Sequence, residues 1–110
     1  MIKDRIVRIR LRKYYKEQKP FSYVGKVTAW SENWVAIEGK GIMLSRQSST
    51  GVQIDTDIRL VLIPRETIET IQILPDSFNI NDIRTTTEGQ QVVLVIDDKR
   101  NAFLGEIGEG

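Results

Sequence analysis

The sequence predicts a small all-β protein, an open barrel of five short and strongly bent strands followed by a C-terminal β-hairpin. Three observations carry this. Tyr23-Val-Gly-Lys-Val-Thr-Ala-Trp30 reads as a strand with a glycine near its middle, which permits a sharp bend. Ile58-Arg-Leu-Val-Leu-Ile63 and the segment 67–74 read as two apolar strands around Pro64-Arg65-Glu66, a tight turn. Gln91-Val-Val-Leu-Val-Ile96 reads as a further strand, with Asp97 to Asn101 a hairpin turn and Ala102 to Ile107 returning. Strands this short and bent bury their apolar face by curling rather than by forming a flat sheet.

The first element lies in Arg5-Ile-Val-Arg-Ile-Arg-Leu-Arg-Lys13. Val7, Ile9 and Leu11 alternate with Arg8, Arg10 and Arg12, a period of two with one apolar and one cationic face. Ile2, Ile6 and Ile9 also have helical spacing, but the alternation and the β-branched residues favour a strand from Ile6 onward. Tyr14 to Pro20 is a Lys-rich connection, and Phe21 to Trp30 is the strand bent at Gly25. Ser31-Glu-Asn33 is a turn of residues that hydrogen-bond their own backbone. Trp34 to Leu44 follows as a strand in which Gly39 and Gly41 mark a bulge or corner. Ser45 to Asp57, with Ser48-Ser-Thr-Gly51, reads as a mobile polar loop. Phe78 to Ile83 is ambiguous, and the glycine-rich end from Gly105 to Gly110 is expected to fray.

A chain of 110 residues makes one domain, with a barrel over residues 1–75 and a C-terminal extension over 76–110. The absence of cysteine excludes disulfides and thiolate metal sites, and it fits a reducing cytoplasm. No apolar run approaches the length that spans a bilayer, and the Arg-rich start lacks the apolar block of a secretory signal. The net charge of +1 hides an asymmetry: residues 1–26 carry nine Lys/Arg against two acids, and residues 27–110 carry seven against thirteen. A basic end beside an acidic remainder suits a polyanion surface or complementary contacts between subunits. With no histidine and no cysteine, the commonest general base and the best nucleophile are both missing, so no catalytic residue is assigned. Asp55/Asp57 and Asp97/Asp98 read as solvated turns rather than cation ligands, and no cofactor or metal is expected.

Over roughly residues 5–74 the pattern resembles the Sm/Lsm family. The match is strongest in Val7-Arg-Ile-Arg-Leu11, in Val24-Gly-Lys-Val27 followed by Trp30, and in Ile63 to Ile71. It also resembles the bacterial Hfq branch, as a divergent or phage-borne member. The resemblance implies an SH3-like, Sm-like open barrel that closes into a homo-oligomeric ring of about five to seven subunits, the fourth strand of one copy pairing with the fifth of the next. It also implies single-stranded RNA held by the turns between strands two and three and between strands four and five. By position these are Ser31-Glu32-Asn33-Trp34 and Pro64-Arg65-Glu66. Ser31 stands where the family usually has aspartate, Val35 falls where its asparagine aligns unless Asn33 serves, and Glu66 replaces the glycine after the arginine. The pattern therefore supports general RNA affinity more than uridine specificity.

The RNA-binding candidates are Ser31, Asn33, Trp34 and Arg65 as a pocket, with Arg8, Arg10 and Arg12 as a basic surface. An aromatic face stacks on a splayed base, an arginine serves base or phosphate, and an amide reads a base edge. Each has a plainer role: Trp30 and Trp34 as core or interface aromatics, Arg65 as a solvated turn residue, Asn33 as its own turn's acceptor, and the arginines as partners of acids such as Glu66 and Glu69. The functional expectation is a non-catalytic cytoplasmic ring that binds single-stranded RNA. Its rivals are a structural or protein-interaction ring without RNA, and a peptide-binding monomer.

Overall fold

A computed structural model describes residues 2–107 of the chain. The fold is all-β: the described residues form nine strands in two antiparallel sheets, with one turn of 3-10 helix at Arg65–Thr67. β1 (Ile6–Leu11), β2 (Phe21–Trp30) and β3 (Trp34–Leu44) begin at the residues the pattern marks, and the first is a strand and not a helix. β5 (Arg59–Pro64) and β6 (Ile68–Ile73) flank the 3-10 turn, where the Thr67 hydroxyl donates to the Pro64 carbonyl at 2.7 Å. The first sheet runs β4 (Val52–Ile54), β3, β2, β1, β6, with β5 also paired to β3.

Two strands depart from the sequence reading, one in this sheet and one in the C-terminal sheet. The segment 45–57 is not wholly a loop, because Val52–Ile54 forms β4 on the far end of β3. β5 takes Trp34–Gly39 of the same β3 edge and β4 takes Ile42–Leu44, so six strands fill the five positions of the barrel. Val52 explains it: its side chain is buried beside Leu44 and Val92, an apolar anchor within a polar tract.

Two cores follow from the two faces of the bent sheet. Val7, Ile9, Val27, Val35, Ile37 and Ile63 fill the barrel. The opposite face of the sheet contributes Val24, Ile42, Leu44 and Val52 to a second core. That core is closed by β7 (Thr85–Glu88), β8 (Gln91–Val95) and β9 (Asn101–Glu106), which supply Val92, Leu94, Ala102 and Leu104. The expected C-terminal hairpin is β8–β9; β7, a run of β-branched threonines, adds a third strand through a turn in which Gly89 takes φ +58°. The extension lies on one face of the barrel and does not lengthen its sheet. Residues 78–83 are irregular, with Phe78 buried in the second core. Gly105 is within β9, while residues 108–110, where fraying is expected, lie outside the described residues.

The β8–β9 turn is held by Asp97. Its carboxylate accepts from the Arg100 guanidinium at 2.6 and 2.9 Å, and from the backbone N–H groups of Lys99 and Arg100 at 2.9 and 2.8 Å. These bonds, the Arg100 side chain first, favour the ionised form and hold the carboxyl below its ordinary value. A carboxyl lowered in the folded state contributes stability above its unfolded value and loses it as pH falls through the folded one. The Lys99 and Arg100 amide resonances should therefore titrate with a midpoint below 3.8; a midpoint at or above it would mean that the turn is not held by this carboxylate.

Candidate interaction site

Two turns meet at one end of the barrel. Ser31–Asn33 joins β2 to β3, and the 3-10 turn joins β5 to β6. The Ser31 hydroxyl accepts from the Trp34 N–H at 3.1 Å, which closes the first turn in the way short hydroxyl residues allow. The second turn is laced to the first: the Arg65 N–H donates to the Asn33 carbonyl at 2.9 Å, and its guanidinium donates to the Ser31 and Glu32 carbonyls, both at 3.0 Å. That guanidinium also lies over the Trp30 ring, 4.4 Å from its centroid. The structure thus brings Ser31, Asn33, Trp34 and Arg65 together. It assigns Arg65 and Trp30 to each other, so much of the arginine's hydrogen-bonding capacity is committed within the protein.

Trp34 is different. It is 46% exposed and lines an open hollow of about 440 Å³ with Glu32, Asn33, Pro64 and Glu66. Neither carboxylate is in an ion pair or side-chain hydrogen bond among the described residues. Two carboxylates thus border the hollow, and the nearby Arg65 guanidinium is held on the Ser31 and Glu32 carbonyls and over Trp30.

The arginine stripe does not form one basic surface. Arg8 is 6% exposed, and its guanidinium donates to the Ser22 hydroxyl at 3.1 Å and the Phe103 carbonyl at 2.6 Å. Burial, with Arg10 beside it, pushes this guanidinium down to about 10. Arg10 donates to the Leu104 carbonyl at 3.4 Å, stands 5.4 Å from the Phe103 ring centroid, and pairs with Glu69 of its own chain at 3.2 Å. Only Arg12 is exposed, with its Nε on the Ile68 carbonyl at 3.2 Å. As a correction to the predicted basic surface, Arg8 has no face to offer RNA and Arg10 little. The cause is the C-terminal sheet, which covers the cationic side of β1.

A third feature lies on β5. Pro64 has no N–H, and the Arg65 N–H bonds to Asn33, so Trp34 and Pro64 face each other as a non-hydrogen-bonded pair. Alternation then makes Val35–Ile63 and Ile37–Val61 the bonded pairs, and turns the main-chain N–H and C=O of Leu60 and Leu62 outward. β5 pairs with β3 alone and β6 with β1 alone, so each leaves one open edge among the described residues. Leu60 and Leu62 are 67% and 61% exposed. The sequence marks Ile58 to Ile63 as an apolar strand that needs a partner at its edge, but a continuous apolar run does not show that Leu60 and Leu62 are the side chains left outside.

Comparison with protein-family models, with curated proteins and with solved structures gives no match to this chain. Among the described residues, no helix is long and apolar enough to cross a membrane, and no group of three or more acidic side chains could hold a metal ion.

Proposed function

We propose that this chain is a non-catalytic assembly module, a barrel that closes with copies of itself into a ring and serves protein interaction. The observation that carries the reading is the pair of open backbone edges on β5 and β6. An open edge with exposed leucines is an aggregation hazard that proteins cover or pair. A heterologous pairing of β5 with the next copy's β6 satisfies both edges, and closes when the rotation between copies completes a circle. Single-stranded RNA, the ligand implied by the Sm/Lsm resemblance, has less support. The exposed Trp34 favours it, whereas the buried Arg8, the paired Arg10 and the carboxylates around Trp34 oppose it.

Sedimentation velocity tests the proposal. The wild type should run as a closed multi-subunit species. Leu60→Pro removes one outward donor without touching the ladder to β3, and should yield single subunits with unchanged circular dichroism. A wild type that sediments as one subunit at high concentration would refute the ring. RNA copurifying with the protein, and released steeply by salt, would restore the nucleic-acid reading.

A further inference from the structure

The outer face of β3 and β5 is a side-chain surface, separate from the backbone edge used in assembly. In register, Trp34 opposes Pro64, Ala36 opposes Leu62, and Glu38 opposes Leu60. The inner neighbours Val35, Ile37 and Ile63 are fully or almost fully buried, so the alternating positions point outward. The C-terminal sheet packs against Ile42 and Leu44 of β3, but no second-core contact reaches Trp34, Leu60 or Leu62. An exposed apolar strip of Trp34, Leu62 and Leu60 thus stays unpartnered, and a contiguous patch of this kind marks an interaction site. Its Trp34 end is flanked by the free carboxylates of Glu32 and Glu66.

We infer that this face docks a short extended segment of a partner protein that presents a lysine or arginine and apolar residues together on one side, at every second position. The apolar side chains lie on Leu60 and Leu62. The cation sits over the Trp34 face between Glu32 and Glu66, where ring quadrupole and carboxylates act with the same sign. Charge complementarity selects this occupant. Arg65 is turned onto Trp30, so the two carboxylates meet no competing side-chain cation in the hollow, and a phosphate backbone would face both of them. The inference deepens the protein-interaction role proposed above by naming the partner's chemistry, but it needs only the folded barrel.

The test uses the full chain and three fluorescent probes: a ten-residue peptide with lysine, leucine and leucine at successive alternate positions and serine between them, the same peptide with glutamate for lysine, and a twelve-nucleotide oligouridine. Anisotropy should show binding of the lysine peptide alone. Glu32→Gln with Glu66→Gln should weaken it about tenfold, as should Trp34→Ala, which lies on β3 and leaves the β5 edge untouched. Both variants should sediment like the wild type, which separates failure of docking from failure of assembly. Affinity unchanged in the double glutamine variant would overturn the proposal. So would binding of oligouridine in place of the peptide, tightened by the same neutralisation.

Discussion

Replacing Arg8 with alanine should cost about 3 kcal/mol and loosen the C-terminal sheet from the barrel. Arg8 is where the two sheets are joined by more than apolar contact. Its Nε bonds to Ser22 on β2 and its Nη2 to the carbonyl of Phe103 on β9, 95 residues away in sequence. Alanine leaves the Phe103 carbonyl without its donor and opens a void beside Val24 and Leu104, both nearly without exposure. Arg8→Lys keeps the charge but cannot reach both acceptors, and should lose about half as much. Urea denaturation gives the magnitude. Hydrogen exchange gives the location: the β9 amides should exchange faster in Arg8→Ala while those of Val35 and Ile37 keep their protection. Uniform acceleration across both sheets would mean that the cores fold as one unit and that Arg8 is not a local tether.

The pH dependence of this residue has a definite sign. Burial lowers the folded value below the ordinary guanidinium range, to about 10, so the unfolded chain holds the proton more tightly. The charged form is disfavoured first by desolvation and then by Arg10 beside it, and Glu69 opposes both. That balance is present at every pH well below 10, where Arg8 is cationic in both states. The stability difference between wild type and Arg8→Ala should therefore be flat from about pH 5 to 9. A difference that changes through neutral pH would assign the effect to some other group.

Arg8 also shows how far the sequence could be read. The period-two pattern of Val7–Arg12 locates β1 and its inward face, because burial of one face leaves that trace. It cannot say what covers the other face. A cationic face that meets solvent and one that meets carbonyl oxygens of a distant strand have the same local pattern. The partners of Arg8 and Arg10 lie on β9, whose register against the barrel is set by packing of Leu94, Ala102 and Leu104 and by no neighbour in sequence. The same limit hid the exposure of Leu60 and Leu62. By contrast, the two turns that carry Ser31, Asn33 and Arg65, with Trp34 at the start of β3, were legible, since turn chemistry is local. The resemblance placed those two turns at one end, and the backbone bond from Arg65 to Asn33 is how they are held there. β4 was lost because three residues give too short a pattern within Ser45–Asp57, and β7 because threonine reads as both turn and strand.

The largest loss is expected at Gly39, where valine should prevent folding and alanine should cost about 3 kcal/mol or more. Gly25 on β2 and Gly39 on β3 face each other in register, and the strands approach so closely that neither tolerates a side chain. A Cβ on Gly39 would stand 2.6 Å from the Gly25 Cα, and a Cβ on Gly25 would stand 2.6 Å from the Gly39 Cα. Both obstacles are backbone, so relief requires the strands to part and not merely a side chain to turn. The parting would fall between Val24 of the second core and Val27 of the first, at the bend that lets one sheet serve both. Gly41 supplies the contrast. A Cβ there meets the tip of the Phe21 ring at 2.8 Å, and that side chain can swing aside about χ1, so Gly41→Ala should cost nearer 1 kcal/mol. Thermal and urea denaturation of Gly25→Ala, Gly39→Ala and Gly41→Ala should rank the first two well below the third. Equal losses at the three positions would mean that the barrel does not depend on this close approach, and that its curvature comes from elsewhere in the chain.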